Sequence, residues 1–129
     1  ILATGKVSLL FHWKSLRRQV RVDGTIGPVS DGEADAYYKS RGRMSRVGAW
    51  ASKQSQDLPN RQELLDRVEA VNAKYPDDEI PRPPFWSGFR VLPHAMEFWY
   101  DGEARLHHRD IYKLSDEMRE TWDTSVIYP

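Results

Sequence analysis

The sequence predicts an α+β fold: an antiparallel sheet or barrel with short helices packed at one side. Three observations lead there. Strand-like runs open the chain at 6–29 and return from 87 to the end. Helical signals are confined to the middle, 30–76. The two kinds of element are therefore segregated along the chain, where a parallel βαβ sheet would alternate them.

The elements follow in order. "KVSLLFHW" (6–13) and "LRRQVRVDGTIGPV" (16–29) are rich in alternating and β-branched residues, so both read as strands. Asp23-Gly24 is either a tight hairpin turn or a bend within one long strand. In "SDGEADAYYKSRG" (30–42), Ser30 and Glu33 stand at capping-box spacing and Gly42 stops a short helix. "RMSRVGAWASKQS" (43–55) reads as a second short helix running into a loop. "NRQELLDRVEAVNAKYP" (60–76) starts at an Asn60 cap with Glu63 three residues on. It carries an apolar stripe of Leu64, Leu65, Val68, Val71 and Tyr75, and ends at Pro76. "DDEIPRPPFW" (77–86) is an extended, proline-rich connector. "SGFRVLP", "HAMEFWYD", "RLHHRDIYKL" and "TWDTSVIYP" then read as four strands separated by turn signals. If "RLHHR" is strand, Arg105, His107 and Arg109 point one way, and Leu106 and His108 the other. Such a cationic face calls for something anionic or electron-rich opposite it.

Composition narrows the function classes. A chain of 129 residues suits one domain with a moderate core. Its 19 basic and 19 acidic residues balance, so no global field draws it to nucleic acid or an anionic membrane, and neither is expected as a partner. The lack of cysteine excludes disulfides and thiolate metal sites and fits a reducing cytoplasm. His12, His94, His107 and His108 form no metal signature, so no metal is expected. Dinucleotide, P-loop and nucleophile-elbow motifs do not occur. What remains is "YYKSRGRMSR" (37–46), a local basic stretch. Tyr37 and Arg41 are four apart on a helix, and Ser45 follows just past Gly42. A phenol, a guanidinium and a hydroxyl meeting there suit a phosphate monoester. The plainer alternative is a solvated helix end, where cations are favourable anyway.

From about Ser8 to Pro129 the sequence resembles the C-terminal part of the pyridoxine/pyridoxamine 5′-phosphate oxidase family. The blocks that carry the resemblance are "SLLFHW", "RRQVRV", "YYKSRGRMSRVGAWASKQS", "PPFWSGFRV" and "EFWYDGEARLHHR", in the family's order. The last is close to the family's signature of Glu-aromatic-Trp followed by Arg-Leu-His-x-Arg. The resemblance implies an FMN-binding split β-barrel working as a homodimer, with FMN at the subunit interface and a dimerisation region over about 77–129. It implies Gln19, Gln54, Ser55, Trp99 and Arg109 at the FMN. Tyr37, Arg41 and Ser45 would surround the substrate phosphate, and Arg105, Leu106 and His107 would bind the rest of the substrate. Arg105 and His107 would be catalytic, facing a substrate whose C4′ carbon gives up a hydride, with dioxygen as acceptor and hydrogen peroxide as product. Three positions depart from the family's habit: His108 where an acid or Asn is usual, Tyr100 after Trp99, and Gly42 in place of a common Pro. The family's upstream strands, which hold the FMN phosphate, have no counterpart here, so the chain is expected to be the C-terminal portion of a longer polypeptide. The resemblance leaves two alternatives: a flavin oxidase of the same fold acting on phenazine-type metabolites, and a non-catalytic flavin or pyridoxal-phosphate binding remnant.

Overall fold

Five strands form one sheet in the order β1-β2-β3-β4-β5: β1 Lys6–Trp13, β2 Arg18–Pro28, β3 Phe89–Tyr100, β4 His108–Asp116 and β5 Thr121–Val126. Three helices lie between β2 and β3 in the chain: α1 Asp31–Ser40, α2 Arg43–Ala51 and α3 Arg61–Lys74. This computed structural model describes residues 1, 3–116, 118 and 121–129. They divide into two compact units, 1–27 with 89–129, and 28–88.

In the first unit, β1 and β2 pair antiparallel from Lys6 opposite Thr25 to Trp13 opposite Arg18. A 3-10 turn at Lys14–Leu16 reverses the chain, and Arg17 closes it in the left-handed region at φ 51°. Asp23 and Gly24 sit inside β2, paired with Ser8 and Val7, so the bend within a long strand is the alternative that holds. Gly24 is buried under Leu92, whose carbonyl oxygen a side chain there would strike. β3 pairs antiparallel with β4 over Ala95–Tyr100, and β4 with β5 across an irregularity between Leu114 and Asp116.

Two strand expectations are corrected here. "SGFRVLP" and "HAMEFWYD" are not separate strands but a single β3 that runs through Pro93. Pro93 precedes the stretch paired with β4, so on that edge its missing N–H breaks no ladder bond. "RLHHR" is not strand throughout either. Glu103–Arg105 is a 3-10 turn with Ala104 and Arg105 both left-handed, at φ 52° and 65°, and β4 begins only at His108.

The second unit holds the fully buried apolar side chains found among the described residues: Ala34, Tyr38, Val47, Ala51 and Ile80. The α1 capping box forms as its sequence requires. Glu33 N–H donates to Ser30 Oγ at 3.3 Å, and Ser30 N–H to Glu33 Oε2 at 3.1 Å. Asn60 caps α3 by accepting from Glu63 N–H at 3.0 Å. The stripe on α3 is thinner than its spacing implies, since Leu65 is 46% exposed. Tyr38 O–H donates to the Arg46 carbonyl at 2.9 Å, and burial of this phenol raises its pKa above the ordinary value. The connector 77–86 is pinned from the helices. Arg46 donates to Asp78 O at 2.9 Å and Asp78 Oδ1 at 2.6 Å, and Trp50 Nε1–H to Pro81 O at 2.7 Å.

The close approach of β2 and β3 yields a direct test. Gly24→Ala should lower the unfolding free energy by about 1–3 kcal/mol, the scale of overpacking a tight site. Urea denaturation of the two proteins under one set of conditions measures it, and equal midpoints would contradict the packing described.

Candidate functional site

The helical unit carries a cavity of about 780 Å³ whose wall includes Arg41, Ser45, Trp50, Gln54, Phe85 and Trp86. Arg41 is the C-cap of α1 with extended backbone, so its side chain leaves the helix line. Its guanidinium lies over the Trp86 ring at 5.3 Å, and Nη1 is enclosed with no hydrogen-bond partner among the described residues. Neighbouring arginines differ. Arg43 donates to Tyr75 O at 2.6 Å, Arg67 to Ala51 O at 2.5 Å, and Arg46 to Asp78. Arg82 donates to Asp35 and Asp31, each at 2.6 Å, and to Trp86 O at 2.6 Å. Among the described residues Arg41 thus has no carboxylate partner, and it lines the cavity with Ser45, which sits in the first turn of α2 with its own N–H donated to the Gly42 carbonyl at 2.9 Å. Tyr37 does not line the cavity. It is 66% exposed and stacks on the far partner of Arg41, the Trp86 ring, at 5.9 Å. Ser55, at φ 62°, lines a smaller cavity of about 130 Å³ with Lys53, Glu63 and Arg67.

The sheet unit carries the other predicted residues. Cross-strand register puts Trp99 opposite Arg109 and Glu97 opposite Ile111, so Glu97, Trp99 and Arg109 share a face. Arg109 Nε and Nη2 grip Glu97 at 2.8 and 3.1 Å, and Nη1 donates to Tyr128 O at 3.1 Å. Arg21 Nη2 approaches Glu97 Oε2 at 3.7 Å, which places Arg21, and Gln19 two residues before it, on this same face. The hydrogen-bonded Arg109 guanidinium holds the Glu97 carboxyl below the usual carboxylate range, against the opposing pull of its burial.

Arg105, His107 and Arg109 do not form the uniform cationic face that strand alternation predicts, because the left-handed turn removes Arg105 from the strand. Arg105 is exposed and Leu106 is 74% exposed. His107 packs on Trp99 with ring centroids 4.9 Å apart and lies 3.2 Å from Asp101. The counter-charge asked for by the sequence is therefore carboxylate from the protein itself, Asp101 for His107 and Glu97 for Arg109. His108 bonds Asp110 at 2.8 Å.

Four residues of these clusters escaped the sequence reading: Trp86, Arg82, Glu97 and Asp101. For Glu97 a signal existed, since Glu97, Trp99 and Arg109 have the parity of one sheet face once β3 and β4 are paired. For Asp101 and Arg82 no spacing rule applies, because an irregular turn and a proline-rich segment bring them in.

The depressed Glu97 ionisation has a definite sign. A carboxyl whose folded pKa lies below its unfolded value stabilises the fold above the unfolded value, about 4.3, and loses that contribution as pH falls through the folded one. Glu97→Gln should therefore be less stable than wild type at neutral pH, with the gap closing as pH drops below about 4. Denaturant titrations across that range check it, and a gap that stayed constant with pH would contradict the pairing.

Comparison with known proteins adds to this geometry. Residues 1–75 match the family model described as pyridoxamine 5′-phosphate oxidase, and residues 86–129 match that of the pyridoxine 5′-phosphate oxidase C-terminal dimerisation region. The chain is 53% identical over all 129 residues to the pyridoxine/pyridoxamine 5′-phosphate oxidase of Novosphingobium aromaticivorans, and 48% identical to that of Zymomonas mobilis. It spans 63% and 66% of those two proteins. Among solved structures it is similar to PhzG from Burkholderia lata, crystallised with tetrahydrophenazine-1-carboxylic acid. That match has a TM-score of 0.83 and 31% identity, over 98% of this chain and 60% of the other. An FMN-binding protein from Nostoc punctiforme shares the fold at a TM-score of 0.72 and 15% identity, over 99% of this chain and 65% of the other. With more than half of its residues inside the first family model and most of the remainder inside the second, the chain belongs to the pyridoxamine 5′-phosphate oxidase family.

Proposed function

We propose that this chain serves the FMN-dependent oxidation of pyridoxine or pyridoxamine 5′-phosphate to pyridoxal 5′-phosphate, within a cytoplasmic homodimer of FMN-binding split barrels. The observation that carries the reading is Arg41, a guanidinium at a cavity wall with no carboxylate partner among the described residues, lining it together with Ser45 near the α2 N-terminus. That arrangement suits a dianionic phosphate better than a neutral ring. A second reading, oxidation of an unphosphorylated phenazine-type substrate, has the likeness to PhzG in its favour. The carboxylate of such a compound offers Arg41 a single negative charge, where a phosphate monoester offers about two.

The residues present fit a flavin. Gln19, Trp99 and Arg109 lie on one sheet face, where an indole offers a flat wall beside polar donors. Arg109 engages three N–H groups with Glu97 and Tyr128, which leaves two of the guanidinium's five for a ligand. Gln54 and Ser55, in the helical unit, complete the proposed FMN set. Bound FMN would supply the two-electron oxidation, with dioxygen as final acceptor and hydrogen peroxide as product.

The chain's own groups bind and orient. Tyr37, Arg41 and Ser45 hold the phosphate. Arg105 and Leu106 contact the ring end, and the Arg105 guanidinium stabilises negative charge that develops there. His107 offers a hydrogen bond to the substituent on C4′. For the homodimer, support comes from the match to a dimerisation region and from apolar side chains that the sheet leaves open. Leu10 is 62% exposed, Phe89 50% and Val126 64%.

Two measurements on the flavin-loaded enzyme test the reading. Arg41→Ala should raise KM for pyridoxamine phosphate about ten- to a hundredfold, the effect of losing a charge-assisted contact of about 1.5–3 kcal/mol. Equal turnover of phosphorylated and unphosphorylated pyridoxine by wild type would remove the phosphate from the argument. Arg105→Met should slow anaerobic flavin reduction at least about tenfold, roughly 1.4 kcal/mol in barrier. Arg105→Lys should recover only part of it, since the planar fork is lost. Wild-type reduction by Arg105→Met would show that this side chain is not at the reacting centre.

A further inference from the structure

The turn between β3 and β4 is built around one nitrogen atom. His107 Nδ1 lies 3.2 Å from Asp101 Oδ1, and the Gly102 N–H also points at it with N···N 3.2 Å. These neighbours require opposite states of the same atom. The Gly102 N–H needs a lone pair on Nδ1, whereas the carboxylate needs a proton there. In the neutral ring, the first arrangement puts the proton on Nε2, and the second leaves Nε2 an acceptor.

The turn cannot relieve the conflict by drifting apart. Asp101 is held twice by Arg17, through its N–H to the Arg17 carbonyl at 3.1 Å and through a guanidinium contact to Oδ2. Gly102 runs so close to Leu106 that any side chain would collide with the Leu106 carbonyl. Ala104 and Arg105 are both wound left-handed, and the Trp99 ring backs the imidazole. With Oδ2 on Arg17, Oδ1 is the oxygen that faces the ring. Its side chain is only 15% exposed, so solvent competes weakly for it.

We propose that Asp101 is a positioning residue. It fixes the His107 proton on Nδ1 and so presents Nε2 as the acceptor for a hydroxyl or amine hydrogen of the substrate. A charged acceptor outcompetes the neutral Gly102 N–H for the same nitrogen. The inference deepens the proposed function and rests on the place of His107 within it.

Asp101→Asn separates this role from a merely structural one. The shape is kept, but one end of the amide accepts and the other donates. Arg17 draws the amide oxygen, so the NH₂ faces Nδ1 and drives the ring proton to Nε2. Adding Arg17→Met releases the oxygen to turn back towards Nδ1. Nitrogen NMR of labelled imidazole in the flavin-loaded enzyme, with His107→Ala as assignment control, reads the proton position directly, and anaerobic flavin reduction reads its consequence. We expect Nδ1–H in wild type, Nε2–H in Asp101→Asn, and Nδ1–H again in the double variant. In Asp101→Asn, kcat should fall at least about tenfold while KM stays within about twofold, and the double variant should regain part of the loss. A wild-type ring protonated on Nε2, or a tautomer unmoved by Asp101→Asn, overturns the proposal. So does a moved tautomer with unchanged kcat when His107→Ala is slow. If the tautomer moves as described while both Asp101→Asn and His107→Ala reduce flavin at the wild-type rate, the positioning stands. The place given to His107 in the reaction then fails.

Discussion

A carboxylate at the centre of a sheet constrains its neighbours, because burying it unpaired would cost several kcal/mol. Glu97 is 7% exposed, and the strands on both sides of it supply its partners. Arg109 from β4 takes both its oxygens, and Arg21 from β2 stands within ion-pair distance. The remaining Arg109 Nη1 reaches the Tyr128 carbonyl, which ties the C-terminal tail to the same centre. Register then follows from chemistry. Slipping β4 by one residue would turn Arg109 to the opposite face and leave Glu97 without its partner. The face ordered in this way is also the one that presents Trp99 and Gln19.

In the helical unit the organising charges are cationic. Four arginines brace the segments that follow the helices: Arg43 and Arg46 hold 75–78, Arg67 caps the end of α2, and Arg82 bridges α1 to the Trp86 backbone. Arg82 fixes Trp86, and Trp86 in turn carries Tyr37, Tyr38 and the Arg41 guanidinium on its ring. Arg41 is thus held by an aromatic surface and not by an acid. Its position is defined while its charge stays unneutralised. Sequence alone shows arginines of one kind.

The turn at 101–107 follows the same logic on a smaller scale. Two consecutive left-handed residues without glycine are unfavourable, and the Arg17–Asp101 brace together with the close passage at Gly102 keeps them in place. Strain concentrates where Arg105 leaves the strand, so its direction is set by the turn and not by sheet alternation.

What the sequence by itself determined was local and periodic. The capping box at Ser30, the cap at Asn60, the stop at Gly42, the first two strands and the family's blocks are all short-range patterns that residue types dictate directly. Spacing singled out Tyr37 and Arg41, yet Arg41 leaves the helix line as the C-cap of α1 and Tyr37 stays outside the cavity that Arg41 and Ser45 line. The tertiary structure decided the rest. It ran β3 through Pro93, because a proline before the stretch paired with β4 breaks no bond on that edge. It chose the bend at Gly24, because Leu92 passes over it. It took Arg105 off the strand face, and it brought in Trp86, Arg82, Glu97 and Asp101 as partners. Those partners lie up to 84 residues from the groups they hold, as Arg17 and Asp101 do, and which charges are committed and which stay free depends on such distant pairings. No local pattern encodes that assignment, since an arginine bound to a carboxylate and one held only by an aromatic ring are the same residue until the chain has folded.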